Sequence, residues 1–500
     1  MIKLKLNGVS KAYGATKALS HADLEIEAGE VHVLMGSNGS GKSTLSKIVA
    51  GSVKPDSGEI LLDGQPITIT GPQSAKSHGI AIFYQELSLA AHRTVAENIS
   101  LANLPSRAGI FVDRDVLEER AQHYVAMFDG VTGDGFSLDA VIQDLRADQR
   151  QLVEIMKTLA TEASVIIFDE ATSALDRAQV ERFFEILRTL KQQQRSIIFI
   201  SHRMDEIFAI GDRATIIRDG KIVGTTPIAE TNPGEIITMM VGGHDEAVAK
   251  PAAHAAPTGA AATALSVQNL TGRGFNDISF AVRKGEILGF GGLHGQGQSA
   301  VLKALFGALP PTSGKVDLDG KPLNPANPRE TIRQGVAYVS GDRSREGVIT
   351  GRPIIENVMP IHYLRDRMAL ARPAASASKA LPALQALRTK FAGLGFPISS
   401  LSGGNQQKVV IARWLIDRPA ILLLDDPTKG IDLSAKNDLF ALIRKLAEEG
   451  MGIVLYASED AELLDNSDRI LVFNGGSIRR ELTGADRTRY NLYQAAYEAA

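Results

Sequence analysis

The second half of this 500-residue chain repeats the landmarks of the first at a nearly constant spacing of about 256 positions. The turn Ala28-Gly29-Glu30 meets Lys284-Gly285-Glu286, and a glycine-rich stretch starting at Gly36 meets one at Gly292. Ser57-Gly58 meets Ser313-Gly314, Asp63-Gly64 meets Asp319-Gly320, and Leu145 meets Leu401. Asp169 meets Asp425, and Asp212-Arg213 meets Asp468-Arg469. One offset shared by so many landmarks means one supersecondary plan used twice, not two unrelated domains. Between the copies lies His244 to Ala264, HDEAVAKPAAHAAPTGAAATA, which has no helical period and no large apolar residues. That composition reads as a tether. The expected organisation is a domain over 1–243, a linker over 244–264 and a second domain over 265–500.

Within each half, short apolar runs such as Val31–Met35, Val165–Phe168 and Ser196–Ile200 alternate with helical stretches. This is the pattern of an α/β domain with a mostly parallel sheet covered by helices. The stretches from about Ser88 to Val141 and from about Ile354 to Ile398 read as more helical and are expected to form a separate lobe.

Composition narrows the partners. The 54 Lys+Arg against 57 Asp+Glu give a net charge of -3, without the basic surplus that binding a nucleic-acid backbone requires. Cysteine is absent, which removes disulfides and thiolate metal sites. The first residues, MIKLKLNGVSKAYG, alternate like a strand and carry no secretory h-region. No run reaches the ~18–20 apolar residues of a bilayer span. The chain is expected to be soluble, with any membrane role supplied through a partner.

Gly36-Ser37-Asn38-Gly39-Ser40-Gly41-Lys42-Ser43-Thr44 fits G-x-x-x-x-G-K-[ST] and follows an apolar strand. Such a loop turns its N–H groups inward, and the next helix adds its positive end. Lys42 would reach the β- and γ-phosphates of a nucleotide, and Ser43 would ligate Mg²⁺. Val165-Ile166-Ile167-Phe168-Asp169-Glu170 then carries two acids at the end of a buried strand, a costly placement unless they have work there. Asp169 would complete the Mg²⁺ shell, and Glu170 would polarise the attacking water. Gln85, in IFYQEL, can sense the cation and the water, and His202, in FISHRMDE, can donate to the γ-phosphate. Tyr13 is either an adenine-stacking ring or an ordinary edge-strand tyrosine.

Leu401-Ser402-Gly403-Gly404-Asn405-Gln406-Gln407-Lys408, upstream of the second acidic strand, closely resembles the LSGGQ signature of ABC ATPases. The resemblance covers nearly the whole chain. With GVAYVSGDRSREGVI and LDDPTKGIDLSAK, the chain looks like the fused ATPases of ribose-, galactose- and xylose-type sugar importers. It implies two tandem P-loop NTPase domains, each a RecA-like sheet core with a helical lobe and an antiparallel β region. The implied activity is ATP hydrolysis that closes and resets the two domains. The implied partners are integral-membrane permease subunits and, through them, a periplasmic or tethered sugar-binding protein. The implied location is peripheral, on the cytoplasmic face of the inner membrane. The permease is expected to dock around Glu86 to Leu101 and near Asp342 to Val358. A soluble tandem ABC ATPase acting on ribosomes or nucleic acid is the alternative; two intact sites and a long charged linker would have favoured it.

In this family a signature acts on nucleotide held by the other domain, so the motifs sort into two composite sites. The first joins Lys42, Ser43, Gln85, Asp169, Glu170 and His202 with Ser402, Gly403 and Gly404, and every part is present. Ala171 stands where proline is usual. The second takes its loop from Gly292-Leu293-His294-Gly295-Gln296-Gly297-Gln298-Ser299, with Gln298 at the lysine position, Ser299 at the Mg²⁺ position and Asp425 at the strand end. Asp426 replaces the general-base glutamate and is one methylene short, a displacement that can lose ~100-fold in a positioned reaction. Ser458 takes the histidine position and Gly341 the glutamine position, and no aromatic matches Tyr13. The facing signature, Leu145-Arg146-Ala147-Asp148-Gln149, has lost its serine and both glycines. The losses collect on one site, which is expected to bind nucleotide weakly or statically, or stay empty, while the other hydrolyses ATP.

Overall fold

A computed structural model describes the chain except for residues 15, 38, 85, 86, 108–110, 202, 243–261, 368–372, 430, 432 and 498–500. The chain divides into two compact units, Met1–Gly243 and His244–Ala500. Most of the expected linker falls outside the described residues. The second unit's first strand, Thr263–Gly272, begins within its last two positions.

Each unit has the same two sheets. In the first, a six-stranded sheet runs in the order Lys221–Pro227, Arg213–Arg218, Val31–Met35, Ser196–Ile200, Val165–Asp169, Ile80–Phe83. Every neighbour pair is parallel except the Arg213–Arg218 and Lys221–Pro227 hairpin. Val31–Met35, Val165–Asp169 and Ser196–Ile200 are buried at every position, as apolar runs covered on both faces must be. Period-two alternation splits them: Val165 and Ile167 pack toward the four-stranded antiparallel sheet, and Ile166 and Phe168 pack toward the helices on the other face. That antiparallel sheet is ordered Thr16–Glu27, Ile2–Tyr13, Ser57–Leu62, Gln65–Ile67.

The helical lobe contains Val95–Ser100, Arg114–Ala126 and Ala147–Leu159. Thr94 starts it with a capping box, its hydroxyl accepting from the Glu97 amide while Glu97 accepts from the Thr94 amide. The second unit's counterparts are Ile354–Val358, Pro360–Arg365, Pro373–Ala386 and Gly403–Leu415. The two RecA-like units with helical and antiparallel β regions are those the sequence led us to expect.

The repeat holds element by element. Val165–Asp169 recurs as Ile421–Asp425, Ser196–Ile200 as Gly452–Tyr456, and Arg177–Gln192 as Leu433–Glu448. It breaks in the helical lobe, where three helices in the first unit have four counterparts, and again in the first hairpin. In the first unit Val9 pairs with Ala22, thirteen residues on, whereas in the second Leu270 pairs with Ile278, eight residues on. The second hairpin is cut short at the tip where Tyr13 sits, so the missing aromatic reflects a lost loop and not a substituted residue.

Candidate active site

Val31–Met35 lies between two parallel neighbours, and its carboxyl end opens into the glycine loop, where α/β sheets bind ligands. Gly36 has φ +154°, and a Cβ there would lie 2.2 Å from the Ile217 carbonyl oxygen. Only glycine lets the loop press onto the neighbouring strand. The helix Lys42–Val49 begins at Gly41 without a side-chain cap, leaving its first amides for an anion. Lys42 Nζ arches over the loop and donates to the carbonyls of Gly36 (2.7 Å) and Ser37 (2.9 Å). Ser43 is exposed on the first turn.

Asp169 ends the buried strand Val165–Asp169. Burial, then the neighbouring Glu170 charge, push its carboxyl up to about 6, with Lys42 and Lys47 pulling the other way. Among the described residues no hydrogen-bond donor holds it. Glu170 adopts φ +55°, its amide donating to Ile200 O at 2.9 Å. Such backbone is sparsely populated for a side-chain-bearing residue and concentrates at functional positions.

Two braces that sequence reasoning missed hold this turn. Buried Gln151 donates Nε2 to Ala171 O (2.6 Å) and Ser173 Oγ (3.2 Å). Buried Glu206 accepts from Thr172 Oγ1 (2.8 Å) and Ser201 Oγ (2.7 Å). Glu206 thereby ties the Glu170 turn to the strand end that precedes position 202. Gln85, His202 and Asn38 lie outside the described residues. Tyr13 is half exposed at its strand end, with Lys11 Nζ 5.7 Å from the ring centre.

A buried carboxylate without a donor among the described residues, a second acid beside it and a hydroxyl on the loop helix form an oxygen seat for a hard divalent cation, and the lysine over the loop adds positive charge for the phosphate it carries. The donor set fits Mg²⁺ and a nucleotide.

The second unit keeps the loop's shape and fills its charges internally. Gly292 has φ +115°, and a Cβ there would meet Phe473 O at 2.3 Å. Gln298 is buried where Lys42 stands in the first unit, its Nε2 donating to Leu293 O (3.0 Å) and Gly291 O (3.2 Å). The amide thus copies the lysine's bracing of the loop without its charge. Gly295 and Gly297 keep left-handed backbone. Asp425 accepts from Ser299 Oγ (2.6 Å) and Tyr338 OH (2.7 Å). Burial raises its carboxyl, and these two hydroxyls work against the rise. Asp426 accepts from the amide and hydroxyl of Ser458, both at 3.1 Å. His294 Nδ1 lies 2.9 Å from Tyr456 OH. Tyr338 and Tyr456 correspond to Ile82 and Ile200, so the repeat spacing carried the signal that these strands bear extra hydroxyls.

The signatures differ in the same sense. Ser402 is the N-cap of Gly403–Leu415, with Asn405 Nδ2 donating to its Oγ at 3.0 Å. At the equivalent helix end, Arg146 makes a two-pronged contact with Asp148 (3.1 and 2.8 Å), and Gln179 Nε2 donates to the same carboxylate (3.2 Å). The Arg146 pairing holds Asp148 down to about 2 against partial burial. Its charge is spent within the motif.

The ABC transporter family matches residues 19–173 and again 275–429. A ribose import ATP-binding protein of Rubrobacter xylanophilus is 40% identical over 506 residues, covering 99% of each chain. One from Chromobacterium violaceum is 40% identical over 497 residues, covering 99% of this chain and 97% of its own. A nucleotide-free ATP-binding cassette from an ABC transporter is similar at 24% identity over 45% of this chain and 92% of its own, with a TM-score of 0.40.

Proposed function

The chain belongs to the ABC transporter family as an ATP-hydrolysing subunit with tandem ABC domains, and from that premise we propose that it powers uptake of a ribose-type sugar through a separate membrane permease. Near full-length similarity to ribose import ATP-binding proteins supports the substrate class. Among the described residues no helix is long and apolar enough to cross a membrane. In this reading the chain sits at the cytoplasmic face of the inner membrane, docks on permease subunits, and serves a sugar-binding protein through them.

The catalytic site combines the first unit's phosphate machinery with the second unit's signature, an assignment that rests on the family's pattern. Lys42 and the loop amides from Gly36 to Thr44 grip the β- and γ-phosphates. Ser43, Gln85 and Asp169 would hold Mg²⁺, which when bound neutralises phosphate charge. Glu170 accepts the proton of the attacking water, His202 donates to the γ-phosphate, and Ser402, Gly403 and Gly404 close the far side. Tyr13 stacks on the adenine.

One observation carries the asymmetry. The first unit's Asp169 has no donor among the described residues, while Asp425 and Asp426 are each satisfied by two protein donors. The test is ATPase turnover with the permease present. Glu170→Gln removes the general base and is expected to lower turnover ~10²–10⁴-fold. Asp426→Asn should leave most of it, and equal losses at the two positions would sink the asymmetric reading.

A further inference from the structure

We propose that Arg343 is a phosphate-pairing residue of the intact signature, its guanidinium supplying the terminal phosphate of a nucleoside triphosphate with charge that the helix end at Ser402–Gly404 provides only in part. This rests on the reading that this helix end receives a γ-phosphate. Arg343 opens a single π-turn, Arg343–Gly347, after the strand Val336–Val339. Its Nη2 lies 3.0 Å, and its Cζ and Nη1 3.5 Å, from where a Cβ on Gly403 would be. The guanidinium therefore rests against the first residue of the signature helix. Gly403 is helical and not left-handed, so conformation alone does not call for glycine, which loses ~1 kcal/mol against alanine in a helix. Close approach of the arginine does call for it.

The donors point to an absent partner. Nε and Nη1 of Arg343 are buried without a hydrogen bond. Nearby acids are committed elsewhere: Asp342 accepts from the Arg345 amide, and Glu346 accepts from Ser340 and Lys303. Burial alone shifts the Arg343 guanidinium, downward, with no acid opposing it. A partly desolvated guanidinium without an anion is unfavourable, and its planar fork matches phosphate.

The repeat supplies an internal control. About 256 positions earlier Ala147 stands for Gly403, beside the signature that has lost its serine, and the turn that carries Arg343 is an insertion: Ala90 and Asn98 recur at Ile349 and Asn357, three positions later than that spacing gives. Arg146, the cation of that motif, is already paired with Asp148. Uncommitted positive charge and the glycine that admits it occur together, at the intact signature.

The experiment measures binding of a non-hydrolysable ATP analogue and of ADP to the full chain with Mg²⁺, and the ATP KM and kcat with the permease present. Arg343→Met keeps the packing and removes the charge. It is expected to weaken the triphosphate analogue ~10-fold or more while leaving ADP unchanged, with Arg343→Lys recovering part. Wild-type triphosphate affinity in Arg343→Met, or equal loss for both nucleotides, overturns the proposal. Should Arg343→Met lower the unfolding midpoint, Gly403→Ala, which displaces the guanidinium but keeps its charge, reads the same discrimination, and an unchanged value there overturns it too. Lys42→Ala and Ser402→Ala separate the two readings: if neither affects triphosphate binding, the underlying site assignment fails instead.

Discussion

Asp169 and Asp425 end equivalent strands and meet opposite neighbours. Serine and tyrosine hydroxyls close on Asp425, and the Ser458 amide and hydroxyl hold Asp426. A lysine at position 298 would restore charge to the loop but would face acids already satisfied. Gln298→Lys in a Glu170→Gln background is therefore expected to stay at background turnover; recovered ATPase activity would show that the lost lysine alone silences this half. The tyrosine is structural in this account. Tyr338→Phe strands one oxygen of a buried carboxylate and should destabilise the second unit by ~1–3 kcal/mol, read by denaturant unfolding, with little change in turnover. A phenylalanine variant as stable as wild type would mean that water replaces the hydroxyl.

Each central strand is entered through a turn whose glutamate clamps a strand start far along the chain. Glu30 accepts from Arg213 Nε (2.7 Å) and Nη2 (2.9 Å) and lies 2.8 Å from His32 Nδ1; Glu286 and Arg469 repeat the clamp. Burial pushes the Glu30 carboxyl up, but its bonds to His32 and Arg213 prevail and set it at about 2, against 4.5 unperturbed. A depressed carboxylate stabilises the fold above its unfolded value and loses that contribution as pH falls through the folded one, here from about 4.5 to 2. The difference corresponds to ~3 kcal/mol. Wild type should lose urea resistance across that window more steeply than Glu30→Gln, and parallel loss would rule the clamp out as its source. Elements of this kind separate what sequence shows from what it hides. The strands, both phosphate loops and the signature helix were legible because apolar runs and glycine spacing are local. Gln151 and Glu206 were not, and neither was the partner of Tyr338: each sits in an ordinary helix or strand pattern, and its partner is set by tertiary packing, 87 residues away for Tyr338 and Asp425. The shortened hairpin was equally hidden, because a missing tip leaves no residue to notice.

The halves have diverged in complementary ways, and under the proposed composite site hydrolysis would need motifs from both. The first keeps the lysine and the acid pair but carries Arg146 and Asp148 at its signature; the second keeps Ser402, Gly403 and Gly404 but has Gln298 and Asp426. Two self-sufficient ATPases would each need their own signature, and neither half has a full set. Grafting the degenerate motif onto the intact one, as Ser402→Arg, Gly403→Ala and Gly404→Asp together, leaves Lys42, Asp169 and Glu170 untouched. It should nonetheless abolish permease-stimulated ATP hydrolysis, since a carboxylate and a bulky cation would replace the helix end proposed to receive phosphate. The reverse graft, Arg146→Ser, Ala147→Gly and Asp148→Gly, should not raise turnover, because the site it would serve still lacks its lysine and its glutamate. If the first graft left hydrolysis intact, the first unit would be working alone, and the missing half of its site would have to be found within Met1–Gly243.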